Sequence, residues 1–309
     1  MRNLPTPQQL RYFLAVADEL NFGRAARRCS VSQSTISGSI GDLEDSLDAR
    51  LLERTKRRVE LTREGAAMAV HARDILNRLE EISDLAQSLQ GPMVGELRLG
   101  VIPTIAPFLL PDLVTELRRD YPDLHANLTE DLTPVLLEKV RSGVIDCAVV
   151  ALPYPTGDLE VTELFADRLL VASSAAAKLP GRSKGVTSAT LKKGNLLLLN
   201  DGHCLKDQAL AACKLDQTDV SVSFQAASLM TLVGMVDRGL GITFVPEMAL
   251  SALAKCFPKI TCAPLAESGA ERTIAICWRK GAHRQADFEI VGDLIARSKP
   301  AGQRRQSAR

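Results

Sequence analysis

The sequence predicts an α/β protein in which a helical N-terminal segment precedes a larger region of alternating strands and helices. Two observations carry this prediction. Apolar residues recur at helical spacing as far as Leu89, and beyond Gly91 short apolar runs alternate with helical stretches. This alternation predicts parallel sheets covered by helices and split into two lobes, for which a chain of 309 residues is long enough.

The first fifty residues predict three helices in close succession. Thr6 is expected to cap the first helix, with Pro7 at its first position. A short second helix is predicted over 23–29, and Ser32 should cap a third. The third helix has a predicted buried stripe of Ile36, Ile40, Leu43 and Leu47. These elements outline a helix-turn-helix.

A wing is predicted directly after the third helix. The segment LLERTKRRVELT reads as two short strands joined by a basic turn. The turn region carries four cations: Arg54, Lys56, Arg57 and Arg58. We expect these side chains to neutralise phosphates or enter the minor groove of double-stranded DNA, which adds affinity but little sequence information.

The exposed face of the third helix is predicted to read DNA. A helical plot places Ser34, Gly38 and Gly41 opposite the apolar stripe, with Thr35 and Ser37 on its flanks. Small side chains let a helix lie deep in the major groove, and the amide of Gln33 can pair with adenine. A Ser/Thr-rich helix alone is more often a solvated surface. The two preceding helices and the basic wing favour the DNA-reading interpretation.

A long helix is predicted next, capped by Thr62. Its apolar residues repeat at spacings of four and three, in the order Met68, Ala72, Ile75, Leu79, Ile82, Ala86 and Leu89. A heptad of this regularity favours a coiled-coil dimer. The alternative is a helix packed on the core of its own chain.

Glycines and a proline at 91, 92 and 95 mark the predicted domain boundary. The predicted organisation is a winged helix-turn-helix over 1–62, a linker helix over 63–91 and a two-lobed regulatory domain over 95–300. The remaining 301–309 are expected to form a disordered tail.

Composition predicts an ordinary cytoplasmic protein, at 46% hydrophobic and 24% charged residues with a net charge of +1. No apolar run is long enough for a membrane span, and the N-terminus lacks a signal sequence. Seven scattered cysteines show no zinc-ligand spacing, so neither metal nor cofactor is expected. In a reducing compartment any disulfide would be catalytic or regulatory. Five cysteines are interpreted as packing residues: Cys29, Cys147, Cys256, Cys262 and Cys277.

The segment DGHCLKDQALAAC (201–213) holds the two remaining cysteines. Its composition places Cys204 near the start of a helix and Cys213 near its end. Nine helical residues span roughly 13.5 Å and leave the two side chains on opposite faces. Because a disulfide needs Cα atoms within about 7 Å, pairing would require the helix to come apart. Taken alone, Cys213 would more often be an ordinary buried thiol and His203 a surface or packing residue.

The N-terminal 65 residues, with FGRAARRCSVSQSTISGSIGDLEDSLDARLLER, resemble the winged helix of LysR-type transcriptional regulators. The two-lobed remainder resembles that family's periplasmic-binding-protein-like effector domain. Family members commonly have proline where this chain has Ser34, so the start of the third helix loses some rigidity here.

Five segments resemble the hydrogen peroxide sensors within that family: DGHCLKDQALAAC, GVIPTIAPFLLP (100–111), EDLTP (130–134), AASLMTLVGMV (226–236) and ERTIAICWR (271–279). This resemblance implies that Cys204 is the peroxidatic thiol and Cys213 the resolving one. It also implies a surrounding set that binds or activates peroxide: Thr104, Thr133, His203, Lys206, Asp207 and Arg272. Lys206 replaces an arginine frequent in the motif, keeping its charge but losing its planar fork. The helix start and nearby cations should lower the pKa of Cys204, while Asp207 should oppose them.

The implied function is a transcriptional regulator, mainly an activator of oxidative-stress genes, switched by a reversible Cys204–Cys213 disulfide and not itself an enzyme. The implied partners are promoter DNA, hydrogen peroxide, further copies of the chain in dimers and tetramers, RNA polymerase, and glutaredoxin or thioredoxin as reductant. Two alternatives stay open: a regulator that responds to a small organic metabolite, and a thiol peroxidase that carries a DNA-binding domain.

Overall fold

The computed structural model describes residues 4–54, 58–88, 91–177, 179–181, 185–215, 221–266 and 269–297. The predicted tail over 301–309 therefore lies outside the described residues. The chain divides into two compact units, Met1–Leu89 with Ser142–Val144, and Gln90–Arg141 with Ile145–Arg309. Among the described helices, none combines the length and apolar character that a membrane crossing requires.

The first unit opens with three helices, α1 (Pro7–Glu19), α2 (Phe22–Arg28) and α3 (Gln33–Leu47). The predicted caps are confirmed. Thr6 and Gln9 form a reciprocal capping box, and the hydroxyl of Ser32 accepts a bond from the backbone of Thr35 at 3.1 Å. The helices enclose one small core, whose fully buried members include Phe13, Val16, Ala25, Ile36, Ile40 and Leu43. Leu47, also predicted to be buried, is only partly so.

The predicted wing strands are confirmed as an antiparallel pair, β1 (Leu52–Arg54) and β2 (Val59–Leu61). Glu44 of α3 fixes this pair, because its Oε1 accepts the backbone N–H groups of Leu51 at 2.8 Å and Leu52 at 3.1 Å. Lys56 and Arg57 of the predicted basic turn lie outside the described residues.

The linker helix α4 (Arg63–Ser88) begins where predicted, with Gly65 N donating to Thr62 Oγ1 at 2.8 Å. Its first turns pack on the core of the same unit through Ala69, Ala72 and Leu76, as the alternative interpretation required. Three apolar heptad residues of the same helix are exposed: Ile75, Leu79 and Ile82. The side chains of Ala86 and Leu89 lie outside the described part.

The second unit alternates strands and helices. Its strands are β3 (Gly95–Val101), β4 (Leu124–Glu130), β5 (Cys147–Leu152), β6 (Glu160–Ser174), β7 (Asn195–Leu199), β8 (Ser221–Ala226), β9 (Ile242–Pro246), β10 (Ile260–Pro264) and β11 (Glu271–Trp278). Its helices are α5 (Ala106–Asp120), α6 (Thr133–Arg141), α7 (Ser188–Lys193), α8 (Cys204–Ala212), α9 (Leu229–Asp237), α10 (Leu250–Cys256) and α11 (Gln285–Arg297), and a 3₁₀ turn covers Glu247–Ala249.

The sheet is mixed, which corrects the expectation of purely parallel sheets. The strand order is β4-β3-β5-β11-β6-β9-β7-β8, with β10 also paired to β6. Pairs within β4-β3-β5 and within β9-β7-β8 are parallel as predicted. The long strand β6 pairs antiparallel with β9, β10 and β11. The reason is that β11 returns from the second lobe and enters between β5 and β6 in the opposite direction to both.

Two separate cores confirm the two predicted lobes. One is built around β3, β5 and β11 with α5 and α11, and the other around β7 and β9 with α8 and α9. Strand β6 serves both, because Phe165 belongs to the first core and Leu169 to the second. The residues between these two positions therefore lie where the lobes meet.

Candidate functional site: a buried cysteine and a DNA-reading surface

Cys204 is the first residue of α8 and is buried. The turn before it requires glycine at 202, where φ is +92° and a Cβ atom would lie 2.9 Å from a Leu132 methyl group. His203 occupies the N-cap position without a side-chain capping bond among the described residues. The turn thus packs the start of α8 tightly against the segment that leads into α6.

The thiol of Cys204 contacts Thr133, the first residue of α6, with 2.9 Å between Sγ and Oγ1. Two helices consequently begin at residues whose side chains touch. Each helix start carries partial positive charge, and both favour an anion at this position. The contact also joins the lobes, since α6 packs in the first core and α8 in the second.

Arg272 and Thr104 form the other half of the site, and both are buried. Arg272 Nη1 donates to Thr104 Oγ1 at 2.8 Å, and Nη2 donates to the Thr104 carbonyl at 3.2 Å. A guanidinium only donates, so the Thr104 hydroxyl must accept, and its own proton is left to point elsewhere. Arg272 also acts electrostatically on Cys204, lowering the pKa of the thiol.

The remaining predicted residues of this site are His203, Asp207 and Lys206. His203 is buried, and burial lowers its pKa below the ordinary 6.5, so the imidazole is neutral at pH 7. Asp207, one helical turn after Cys204, raises the pKa of the thiol as expected. The ammonium group of buried Lys206 is directed to the exposed carboxylate of Asp201, with which it forms an ion pair.

The expectation of a lowered thiol pKa is wrong. Burial is the largest influence and raises the pKa of Cys204 above the ordinary 9.0, Thr133 and Arg272 lower it, and Asp207 raises it. Desolvation of an anion outweighs the nearby positive charge, because the sulfur lies inside the protein. Sequence alone indicated the charges near Cys204 but gave no measure of its burial.

We expect Thr133→Val to slow the reaction of Cys204 with peroxide about tenfold at pH 7. The thiol is the neutral form at this pH, so the rate should rise with pH until the pKa is reached. Losing the Thr133 bond raises the pKa further, and a hydrogen bond to a charged group contributes about 1.5 kcal/mol, which corresponds to roughly a tenfold change in thiolate fraction. The ultraviolet absorbance of the thiolate, recorded against pH, measures the shift. Thr115→Val is the matched control, because its exposed hydroxyl bonds only the Pro111 carbonyl at 2.8 Å among the described residues. An unshifted titration of the variant would exclude this role for the threonine.

Cys213 is the C-cap residue of α8 and is buried in the second core, away from the start of the helix. Both cysteines are free thiols. The predicted helical separation of the two is therefore confirmed. A bond between them would have to disrupt α8 or its ends.

Three residues at the site were missed by sequence reasoning. Gln208 is buried one turn after Cys204, and its Nε2 donates to the Ala151 carbonyl at 3.0 Å. This bond fixes Oε1 as an acceptor, and Oε1 has no partner among the described residues.

Tyr154 lies close enough to Cys204 and Asp207 for both to raise its pKa, although burial raises that pKa most. Asp167 pairs with Arg272. The four-residue spacing could have found Gln208, and a carboxylate inside an apolar strand could have found Asp167.

The predicted DNA-reading face is open in the first unit. Gln33, Ser34 and Thr35 are exposed and Ser37 is partly so, while Cβ atoms built at Gly38 and Gly41 would meet nothing within 4 Å. The hydroxyl of Ser32 bonds those of Ser34 and Thr35, both at 2.7 Å, so the start of α3 is held without proline. Arg58 is exposed and pairs with Glu60 at 3.1 Å, and Arg54 lies on β1.

We expect Gln33→Ala and Arg58→Ala to weaken DNA binding in different ways. Loss of a bidentate base contact should cost about 1–3 kcal/mol at the preferred site and little elsewhere. Loss of one phosphate contact should weaken all sequences alike and make the slope of log K against log salt shallower by about 0.9. Binding isotherms at several salt concentrations separate the two. A sequence-selective loss for Arg58→Ala would contradict this division.

A winged helix-turn-helix joined to a two-lobed α/β unit defines a DNA-binding transcriptional regulator with a regulatory domain. The family model for the bacterial regulatory helix-turn-helix protein of the LysR family matches residues 7–66, and that for the LysR substrate binding domain matches 90–299. The chain belongs to the LysR family.

Two relatives and one solved structure match this chain along nearly their whole length. The HTH-type transcriptional regulator EstR of Acinetobacter baylyi is 34% identical over 96% of this chain and 98% of its own length. A hydrogen peroxide-inducible genes activator of Haemophilus influenzae is 37% identical, covering 94% of this chain and 95% of its own. The solved structure of a full-length OxyR variant from Pseudomonas aeruginosa, in which aspartate replaces one cysteine, is 33% identical, with a TM-score of 0.75 and 94% of each chain covered.

Proposed function

We propose that this LysR-family regulator is activated by hydrogen peroxide, which oxidises Cys204 and leads to a disulfide with Cys213. The observation that carries the proposal is the surroundings of the Cys204 thiol. Thr133 bonds the sulfur, and buried Arg272, whose charge acts on the thiol, holds the hydroxyl of Thr104. Similarity to a peroxide-inducible activator along nearly the whole chain supports the same conclusion.

The chemistry proceeds in two balanced steps. The Cys204 thiolate attacks one peroxide oxygen, the O–O bond breaks, and the departing hydroxide takes a proton to become water, leaving a sulfenic acid. The Cys213 thiol then displaces hydroxide from that sulfenic acid, forming the S–S bond and a second water. In the first step, neutral His203 and the Thr104 hydroxyl are suited to orient the peroxide and to assist proton transfer to the leaving oxygen. Burial raises the pKa of Cys204, so the attacking thiolate is the minor form of the thiol at pH 7.

Assembly of the regulator is proposed to use the exposed apolar residues of α4. Ile75, Leu79 and Ile82 follow heptad spacing and are left uncovered in the first unit, which suits a coiled coil with a second copy. Pairs of such dimers, contact with RNA polymerase, and reduction by glutaredoxin or thioredoxin complete the proposed cycle in the cytoplasm.

Mass spectrometry after one equivalent of peroxide tests the proposal. We expect a loss of about 2 Da and a peptide linking 204 to 213, since the two steps together remove two hydrogens. A regulator should then stay oxidised until reduced, whereas rapid repeated turnover with a thiol reductant would favour the thiol peroxidase. An unmodified thiol pair would overturn the peroxide assignment and favour a metabolite-responsive regulator.

A further inference from the structure

Asp167 and Arg272 form a fully buried ion pair beside the cysteine site. They lie directly opposite each other on antiparallel β6 and β11, and Arg272 Nε donates to Asp167 Oδ2 at 3.0 Å. The other carboxylate oxygen, Oδ1, accepts the backbone N–H of Met248 at 2.9 Å. The carboxylate is therefore held from two sides, by the partner strand and by the 3₁₀ turn.

The pair fixes the direction of the guanidinium group. With Nε bound to Asp167, the plane of the group is set, and both terminal nitrogens are directed to Thr104. The Thr104 hydroxyl accepts from Nη1, so its proton can be donated to an oxygen in the site. Without this partner the guanidinium would lose the bond that fixes its Nε and would carry an uncompensated charge inside the protein.

We infer that Asp167 is a positioning residue for peroxide reduction, acting through Arg272 to hold the Thr104 hydroxyl as a hydrogen-bond donor to the bound peroxide. This inference rests on the proposed function. Asp167 lies in β6, at the junction of the lobes, and bonds both Arg272 and the backbone N–H of Met248. The site thereby depends on a strand shared by both lobes.

The test is Asp167→Asn, measured as the rate of Cys204 oxidation by peroxide across pH. An asparagine has one oxygen for two donors, so either the Arg272 or the Met248 bond is lost. We expect the pH-independent rate of the thiolate to fall at least tenfold. The pKa of Cys204 should at the same time move down, because the charge of Arg272 is no longer countered. A purely structural role would lower the free energy of unfolding without lowering both the thiolate rate and the pKa of Cys204.

Asp287→Asn is the matched control. Asp287 is also buried, accepts one backbone N–H from Met93 at 2.9 Å and binds one arginine, Arg284, at 2.7 Å. It should lose comparable stability but keep the wild-type rate and thiol pKa. Equal losses of rate in both variants would overturn the inference.

A double-mutant cycle completes the test. If Asp167 acts through Arg272, adding Asp167→Asn to Arg272→Gln should leave the already reduced rate unchanged within about threefold. Independent, multiplying losses would overturn the inference. If Asp167→Asn alone does not fold, the double variant, which removes both buried charges, is still tested. Its rate is compared with that of Arg272→Gln by the same criterion. A wild-type chain inert to peroxide would overturn the proposed function and this inference together, whereas a reactive wild type with an equally reactive Asp167→Asn overturns only the inference.

Discussion

Cys204→Ser should abolish the transcriptional response to peroxide completely, while DNA binding by the reduced protein persists. A serine hydroxyl has neither the acidity nor the redox chemistry of a thiolate, so no sulfenic acid forms. The substitution is nearly isosteric and can keep the bond to Thr133. Transcription in vitro from a responsive promoter, with and without peroxide, measures the effect.

The control for this variant is Cys256→Ser. Cys256 is exposed, which corrects its interpretation as a packing residue, and Cys204 is buried, so accessibility alone would make Cys256 the more reactive thiol. We expect Cys256→Ser to respond normally, because Cys256 is the last residue of α10, where the negative end of the helix dipole disfavours a thiolate. Cys213→Ser should stop at the sulfenic acid, detectable by its trapping with dimedone. A normal response from Cys204→Ser would refute peroxide sensing through this residue.

Oxidation should raise amide hydrogen exchange across residues 205–212 by two orders of magnitude or more. The α8 helix holds its cysteines at opposite ends, and a disulfide cannot form until the helix opens at least in part. Opening removes Leu205 and Leu210 from the second core, and burial of each leucine contributes about 1.5–3 kcal/mol. Hydrogen exchange followed by mass spectrometry, on reduced and oxidised protein, measures the change.

Helix α9 (Leu229–Asp237) is the internal control for this experiment. It has the same length as α8 and packs in the same core, but it carries no cysteine. Its amides should stay protected in both states, as should those of the winged helix. Opening of α8 would then alter an interface between copies of the chain, which is how a local bond can bias a two-state assembly. Equal protection of α8 in both states, with the disulfide confirmed, would refute helix opening as the switch.

The local elements of the DNA-binding half could be predicted because their determinants are short-range. Thr6 and Ser32 cap helices through bonds to residues three positions away, and the stripe at Ile36, Ile40 and Leu43 follows from helical periodicity. The helical placement of Cys204 and Cys213 likewise needed only composition and geometry. These features depend on neighbours within one or two turns, so the sequence itself contains them.

The tertiary structure decided what depends on distant parts of the chain. The antiparallel entry of β11 beside β6, the partnership of Asp167 with Arg272 and the contact of Thr133 with Cys204 each join residues far apart in sequence. Burial of Cys204 raises its pKa, although local charge alone predicted the opposite. Desolvation is a property of the whole packed interior, whereas helix periodicity and capping are properties of a segment. Sequence therefore determined the elements and the helical placement of the two cysteines, and only the packed lobes determined the electrostatic environment of the Cys204 thiol.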